Sequence, residues 1–196
     1  MIILQIGAKT KSLDSDEIYN ESKKIADIAQ HLSDTINDFR DFFKPNKSKV
    51  KTSFSLLIED VLKILSNSID TKNIRLVQEL NSTKEFETYA NEIKQVILNL
   101  IINAEDAIAD KSITNGYIKI YSYDENEKSI LEISDNAGGV PSEIIEMIFD
   151  PYFSTKLEKN GTGLGLYMSK TIVNEHCNGT LEVLNKDGGA TFRITL

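Results

Sequence analysis

The sequence predicts an α+β sandwich, in which helices cover one face of a single sheet, preceded by a long separate helix. Three observations predict this class: an apolar repeat of seven residues near the N-terminus, mixed helical and strand patterns in the middle, and successive antiparallel strand patterns late in the chain. With 196 residues, of which 40% are hydrophobic, the chain can form one well-buried domain and a smaller element.

Composition excludes several classes of function. A net charge of −8 and a pI of about 4.9 argue against nucleic acid or an anionic membrane surface as a partner. The single cysteine, Cys177, has no partner for an internal disulfide, which favours a reducing, cytoplasmic compartment. Two histidines and one cysteine are too few for a typical zinc site, and the N-terminal apolar run 2–6 is too short to cross a bilayer.

The first predicted element is a helix from about Ser15 to Lys44. Its apolar residues Ile18, Ile25, Leu32 and Phe39 recur every seven residues, and Ala29, Ile36 and Phe43 follow the last three of these by four residues. Pro45 ends the helix, and the polar stretch 46–51 is interpreted as a linker. A long helix with one apolar seam needs a partner, so we expect residues 1–48 to form a homodimer through this helix, ahead of a domain at 52–196.

The later elements are predicted from periodicity and turn residues. A helix at 55–68 has its inward residues at Leu56, Ile58, Val61, Leu62 and Leu65. The following elements are strands 73–80 and 85–90 joined by a polar turn, a helix 91–110, a hairpin of 117–123 with 129–134, a helix from Gly165 to about His176, and strands 180–184 and 190–196 around the turn 186–189.

The helix 91–110 has two distinct faces. Its apolar face consists of Ile93, Val96, Ile97, Leu100, Ile101, Ala104, Ala107 and Ile108, and a polar stripe consists of Glu92, Gln95, Asn99, Asn103 and Asp106. Asn99 and Asn103 lie one turn apart, and their amide oxygens suit a hard cation such as Mg²⁺. A solvated face is the alternative interpretation of this helix taken alone.

Three further segments carry possible nucleotide chemistry. In the segment 135–140, Asp135 ends a strand and can accept a hydrogen bond from an exocyclic amine, while small neighbours admit a flat ring; alternatively the segment is only a turn. The segment 161–166 is rich in glycine and opens a helix, where backbone N–H groups favour an anion. Between them, 149–156 carries aromatic anchors and Lys156, or forms an ordinary loop.

Together and in this order, these segments resemble the four nucleotide-binding boxes of the histidine-kinase catalytic domain, in the family shared with gyrase, Hsp90 and MutL. The N box is similar to 95–104, the first glycine box to 135–140, the F box to 149–156 and the second glycine box to 161–166. The resemblance covers roughly residues 52–196 and implies a Bergerat-type sandwich that holds ATP beneath a lid at 137–163.

The resemblance also implies roles for individual residues. It implies Asn103 on Mg²⁺, Asn99 near the phosphates and Asp135 on the adenine amine, with Asn99 and Lys156 in catalysis. The other nucleotide-binding residues that it implies are Ala137, Gly139, Thr155, Lys156, Gly161, Thr162, Gly163, Leu164, Gly165 and Leu166. Ala137 stands where the family has the first glycine of its Asp-x-Gly-x-Gly pattern, which reduces backbone freedom without adding much bulk.

Two further comparisons with the family bear on the reaction. ATP-hydrolysing relatives have a water-activating glutamate at the position of Asn99, so transfer to a protein acceptor fits this sequence better. His31 lacks the acidic and proline neighbours of the family's acceptor histidine, and 32–45 resembles the second dimerisation helix.

We therefore expect a histidine-kinase fragment without its acceptor, which cannot phosphorylate itself and whose phosphoryl group passes on to a response regulator. The alternatives are a serine-directed kinase of the anti-sigma-factor type and a nucleotide-binding dimerisation module without transfer.

Overall fold

The computed structural model describes residues 18–26, 29, 48–71, 74–155 and 162–196, and the chain divides into two compact units, Met1–Asn46 and Lys47–Leu196. In the first unit, residues 18–26 and 29 are helical, as predicted, and Ile18 and Ile25 are 47% and 46% exposed. The rest of the predicted helix Ser15–Lys44, including His31 and the later apolar positions of the seam, lies outside the described residues.

The second unit contains seven strands and three α-helices among its described residues. In chain order these are β1 (Val50–Thr52), α1 (Phe54–Thr71), β2 (Arg75–Leu80), β3 (Phe86–Thr88), α2 (Ala90–Asp110), β4 (Tyr117–Glu125), β5 (Lys128–Asp135), α3 (Gly165–Thr171), β6 (Thr180–Lys186) and β7 (Gly189–Thr195). A short 3₁₀ turn, Met147–Phe149, precedes α3, and α3 continues as a π-helical turn, Ile172–His176.

Five of the strands form one mixed sheet in the order β2-β4-β5-β7-β6. The strand β2 pairs parallel to β4, and all other neighbours in the sheet are antiparallel. Both hairpins turn through two residues of positive φ, Asn126 and Glu127 in one and Asp187 and Gly188 in the other. Such turns match the right-handed twist of paired strands, which explains why the two predicted hairpins form where the polar turn residues occur.

The helices cover one face of this sheet, which confirms the predicted α+β sandwich. The apolar face of α2 is buried, with Ile93, Ile97, Leu100 and Ile101 all at 0% exposure, and α2 packs on α1, α3, β4 and β5. The inward residues of the sheet that complete the core are Ile118, Ile120, Leu131, Ile133, Leu181 and Ile194. This core fixes α2 and the ends of β5 and β7 relative to one another.

Two predicted details are wrong. Val50–Thr52 is a strand that pairs with Phe86–Thr88 in a separate two-stranded sheet, so the linker does not extend to Lys51. The strands β2 and β3 both form as predicted, and they lie in different sheets because β2 joins the large sheet. In α1, Leu56 is 54% exposed, whereas its neighbour Leu57 is buried, because the contact with α2 lies one residue further round the helix.

In the part of the chain that the structure describes, every helix is too short or too polar to span a membrane.

Candidate nucleotide-binding site

The N-box helix and the second glycine box meet in the structure. The Asn99 side chain on α2 donates a hydrogen bond from Nδ2 to the Ser169 hydroxyl on α3, at 3.0 Å. Gly165 is the first residue of α3, and a Cβ at that position would overlap the Asn99 amide. The close approach of the two helices therefore depends on glycine here, and it places Asn99 beside the start of α3.

The polar stripe of α2 has two different surroundings. Asn99 and Asn103 are half-buried and lie one helical turn apart, as predicted. Glu92, in contrast, is only 4% exposed, and its Oε2 lies 2.7 Å from Nδ1 of His176, so it is not part of a solvated face. The alternative interpretation, a solvated face, is therefore wrong at Glu92, because a partner distant in sequence covers the carboxylate. His176 lies at the end of the π-helical turn, where that turn meets α2.

Asp135 ends β5 as a buried carboxylate, 5% exposed. Its Oδ1 accepts hydrogen bonds from the backbone N–H groups of Ala137 at 2.7 Å and Ala190 at 3.3 Å. Burial raises the pKa of the Asp135 carboxyl above its ordinary value, while these N–H groups and the charge of Lys111 act in the opposite direction. The backbone thus holds one oxygen and fixes the orientation of the side chain, which leaves Oδ2 for a further donor.

The first glycine box takes a left-handed conformation at two successive residues, Gly138 at φ +79° and Gly139 at φ +71°. Ala137 is buried at 1% exposure and is not among the described non-glycine residues of positive φ. The residue that departs from the family pattern therefore occupies a position that alanine adopts without strain. The two positions of positive φ, 138 and 139, are both occupied by glycine.

Side chains that the sequence did not single out hold this box in place. The Lys111 ammonium at the end of α2 donates to the carbonyl of Ala137. Asn185 in β6 bonds both the N–H and the carbonyl of Val140. Within the box, Asn136 accepts from the N–H of Tyr117 at 2.9 Å. Lys111 and Asn185 are far from the box in sequence and belong to no local motif, so periodicity and turn chemistry could not have identified them.

The F box is attached by Phe149, one of its three aromatic residues. The Phe149 ring lies edge-on to Phe192 of β7, with ring centroids 6.4 Å apart, and the Lys170 ammonium of α3 lies 4.3 Å from the Phe149 ring centroid. The N–H of Tyr152 donates to the carbonyl of Gly163 at 3.0 Å, so the end of the F box contacts the second glycine box. The predicted aromatic anchoring is present at Phe149, whereas Tyr152 is 74% exposed.

The remaining predicted residues are distributed along this segment. Thr155 is exposed, and the Thr162 hydroxyl accepts from the N–H of Leu164 at 3.3 Å. Leu164 and Leu166 are half-buried around the first residue of α3. Lys156 and Gly161 lie outside the described residues. The structure therefore brings the N box, the F box and the described part of the second glycine box together by direct contacts.

The arrangement combines three chemical features. A buried carboxylate with an available oxygen can bind an amine, a left-handed loop of small residues admits a planar group, and the Asn99 amide on α2 faces the start of a helix. A heterocycle that carries an exocyclic amine and is attached to an anionic group has matching chemistry.

Comparison with known proteins gives the same family for sequence and fold. The family model described as "Histidine kinase-, DNA gyrase B-, and HSP90-like ATPase" matches residues 88–196, more than half of the chain. The sensor histidine kinase ZraS of Escherichia coli K12 is 29% identical over 183 residues, 92% of this chain and 38% of that protein. The histidine-protein kinase AtoS of the same strain is 32% identical over 189 residues, 93% and 30%. The chain thus spans about a third of the length of these curated relatives.

Solved structures share the fold. The catalytic domain of the histidine kinase ThkA aligns with a TM-score of 0.67 and 30% identity over 76% of this chain and 94% of that domain. A structure of ThkA in complex with the response regulator protein TrrA aligns over 100% of this chain and 56% of that chain, with a TM-score of 0.74 and 24% identity. At that identity the second alignment supports the fold alone.

Proposed function

The chain belongs to the histidine kinase-, DNA gyrase B- and HSP90-like ATPase family and carries an ATP-binding domain of the histidine-kinase type, and from this premise we propose that it transfers the γ-phosphoryl group of Mg-ATP to a histidine on a dimerisation helix. The domain in this proposal is 52–196, and residues 1–48 contribute part of the dimerisation hairpin.

The contact between Asn99 and the start of α3 is the observation that carries the proposal. In this proposal Asp135 binds the adenine amine through Oδ2, at one end of the site. The second glycine box and Asn99 bind the phosphates at the other end, with help from Thr155 and Lys156. Gly139 and Ala137 give the ring access to the backbone.

Asn103 would hold the magnesium ion, together with the phosphates. Its carboxamide oxygen is the hard donor that Mg²⁺ prefers, and its half-buried position one turn from Asn99 leaves room for the waters that this ion keeps. When bound, the ion supplies neutralisation of charge on the transferred group. The residues of this chain then act by orienting the nucleotide.

The side chain at position 99 favours transfer over hydrolysis. An amide cannot take a proton from water as a carboxylate can, and the Asn99 Nδ2 is already committed to the Ser169 hydroxyl. The γ-phosphoryl group therefore stays on ATP until a protein acceptor is bound. His31 is not that acceptor in this proposal, because it lacks the acidic and proline neighbours of the family's acceptor box.

The proposal extends to partners and compartment. A relative of the same fold, ThkA, forms a complex with a response regulator protein, and we propose relay to such a receiver domain for this chain. The exposure of Ile18 and Ile25 on a helical segment supports a homodimer through the N-terminal helix. A cytoplasmic location suits both the ATP substrate and the free thiol of Cys177.

Labelling with γ-³²P-ATP and Mg²⁺ tests the transfer. Alone, the chain should remain unlabelled on histidine, and it should label the parent dimerisation hairpin that carries an intact first helix, when that hairpin is supplied separately. An Asn103→Ala variant should lose this transfer, while Asn81→Ala, at an exposed position in the loop after β2, serves as the matched control.

Three outcomes separate the alternatives. Acid-labile label that His31→Ala abolishes would make His31 the acceptor and contradict the proposal. Acid-stable label that survives this substitution would favour a serine-directed kinase. Tight nucleotide binding with no transfer to any supplied hairpin would favour a binding module.

A further inference from the structure

Asn185, near the end of β6, makes two hydrogen bonds to the backbone of a single residue. Its Oδ1 accepts from the N–H of Val140 at 2.8 Å, and its Nδ2 donates to the carbonyl of Val140 at 2.7 Å. Both main-chain groups of Val140 are thereby satisfied by one side chain, much as a neighbouring strand would satisfy them. Bonds of both polarities fix the local orientation of the chain as well as its distance from the sheet.

Val140 lies where the first glycine box continues into the segment 141–155, which belongs to the proposed lid 137–163. Next to it, Gly139 holds φ +71°, and a Cβ there would overlap the Asn185 amide. One residue earlier, the N–H of Gly138 donates to the carbonyl of Gly188 in the turn after β6, at 2.8 Å. Gly138, Gly139 and Val140 therefore all contact one hairpin, β6–β7.

The register of the sheet explains how a strand residue reaches the site. Asn185 pairs with Ala190 in β7, and Ala190 donates its N–H to Asp135. The same pair of residues thus contacts Asp135 on one side and Val140 on the other. The spacing between the carboxylate and the glycine box is set through this pair.

We propose that Asn185 is a positioning residue for the nucleotide, which holds Gly139 and Val140 in the conformation that the adenine requires before the ligand arrives. The inference rests on the proposed ATP-binding function. A loop that is already ordered loses less conformational entropy on binding, so the hydrogen bonds of Asn185 contribute to affinity without touching the ligand.

A purely structural role for Asn185 would predict a loss of global stability on substitution, whereas a positioning role does not. Asn185 and its two hydrogen bonds are exposed, so water can replace them when the side chain is removed, and the core of the domain does not include them. Global stability should therefore change little on substitution. The conformation of the box and the affinity for nucleotide should change together.

Substitutions of Asn185 in the full chain test this. In Asn185→Ala we expect ADP affinity, measured by calorimetry, to fall between about twofold and about tenfold, the range of one or two net exposed hydrogen bonds. Amide hydrogen exchange at 138–140 should accelerate in the absence of nucleotide, and the urea unfolding midpoint should stay at the wild-type value.

Two further variants sharpen the test. Asn185→Asp keeps an acceptor for the N–H of Val140 but cannot donate to its carbonyl, so it should fall between wild type and Asn185→Ala. Lys186→Ala removes the neighbouring exposed side chain, which points to the opposite face of β6, and should bind ADP as wild type does.

Wild-type ADP affinity and wild-type exchange in Asn185→Ala would overturn the proposal. So would an affinity loss accompanied by an equal loss of global stability, because that pattern describes a structural residue. Failure of the proposed function looks different, since the wild-type chain itself would then give no binding heat with ADP.

Discussion

Replacing Asp135 by asparagine should lower the affinity for nucleotide without lowering the free energy of unfolding. The side chain is 5% exposed, and its Oδ1 accepts from the N–H groups of Ala137 and Ala190. An asparagine can keep its oxygen in the place of Oδ1 and satisfy the same donors. Its NH₂ group then occupies the place of Oδ2 and faces the adenine amine, so that two donors oppose each other.

The magnitude on the binding side follows from the bond that is lost. A hydrogen bond to a charged group contributes about 1.5–3 kcal/mol, so ADP affinity should fall between about tenfold and about 150-fold. The pKa of Asp135 is raised by burial, so this group contributes most to stability below its ordinary pKa, and that contribution is lost as pH rises through the raised value. At pH 7 the buried carboxylate therefore opposes folding, and Asp135→Asn should be at least as stable as wild type.

Calorimetry with ADP and urea unfolding at pH 7 measure both effects on the same samples. Asp187→Asn is the matched control, because it removes a carboxylate from the exposed turn after β6 at a φ of +52°, which asparagine tolerates. Unchanged ADP affinity in Asp135→Asn would refute the adenine assignment. Lower affinity together with a large loss of stability would show that the variant disturbs the fold and would refute the reasoning about its hydrogen bonds.

Three further predictions concern other parts of the chain. Amide exchange in the lid segment 141–155 should slow when an ATP analogue binds, and equal protection with and without ligand would contradict a lid. Asp124→Asn should lower the free energy of unfolding by about 1 kcal/mol at pH 7. Burial alone would raise the pKa of Asp124, but hydrogen bonds from Ser82, Thr83, Ser129 and Lys84 outweigh it and lower this pKa to about 2. The stability difference between variant and wild type should therefore shrink in unfolding curves as pH falls from about 4 towards 2. Light scattering at micromolar concentration should give a dimer that Ile25→Asp weakens, and a wild-type monomer would contradict the seam.

Local patterns predicted much of this fold. The apolar face of α2 followed from its spacing, and both hairpins followed from polar turn residues between alternating segments, because these signals depend on neighbours within a few residues. The order of the four boxes also indicated which segments should lie together. The contact of Asn99 with Ser169, 70 residues apart, agrees with that order.

Pairings between distant segments were not predictable in this way. The parallel partner of β2 and the sheet of β1 with β3 depend on which strand edges remain free after the core has formed. Glu92 appeared to belong to a solvated stripe because its helical position is polar, yet His176, 84 residues away, pairs with it. A polar residue at a helix start gives no local sign of whether a distant partner buries it.

The first glycine box shows how the same limit applies to a binding site. Its sequence supplies glycine at the two positions that need a left-handed backbone, but sequence alone does not say which of the small residues those are. Ala137 appeared to be a loss of freedom, whereas the structure places the left-handed residues at 138 and 139 and gives Ala137 an ordinary, buried conformation. The shape of the box is then held from outside by Lys111 and by the turn of β6 and β7. A substitution that changes the backbone of that turn at Gly188, whose φ is +77°, should consequently alter the site, although this residue carries no ligand chemistry of its own.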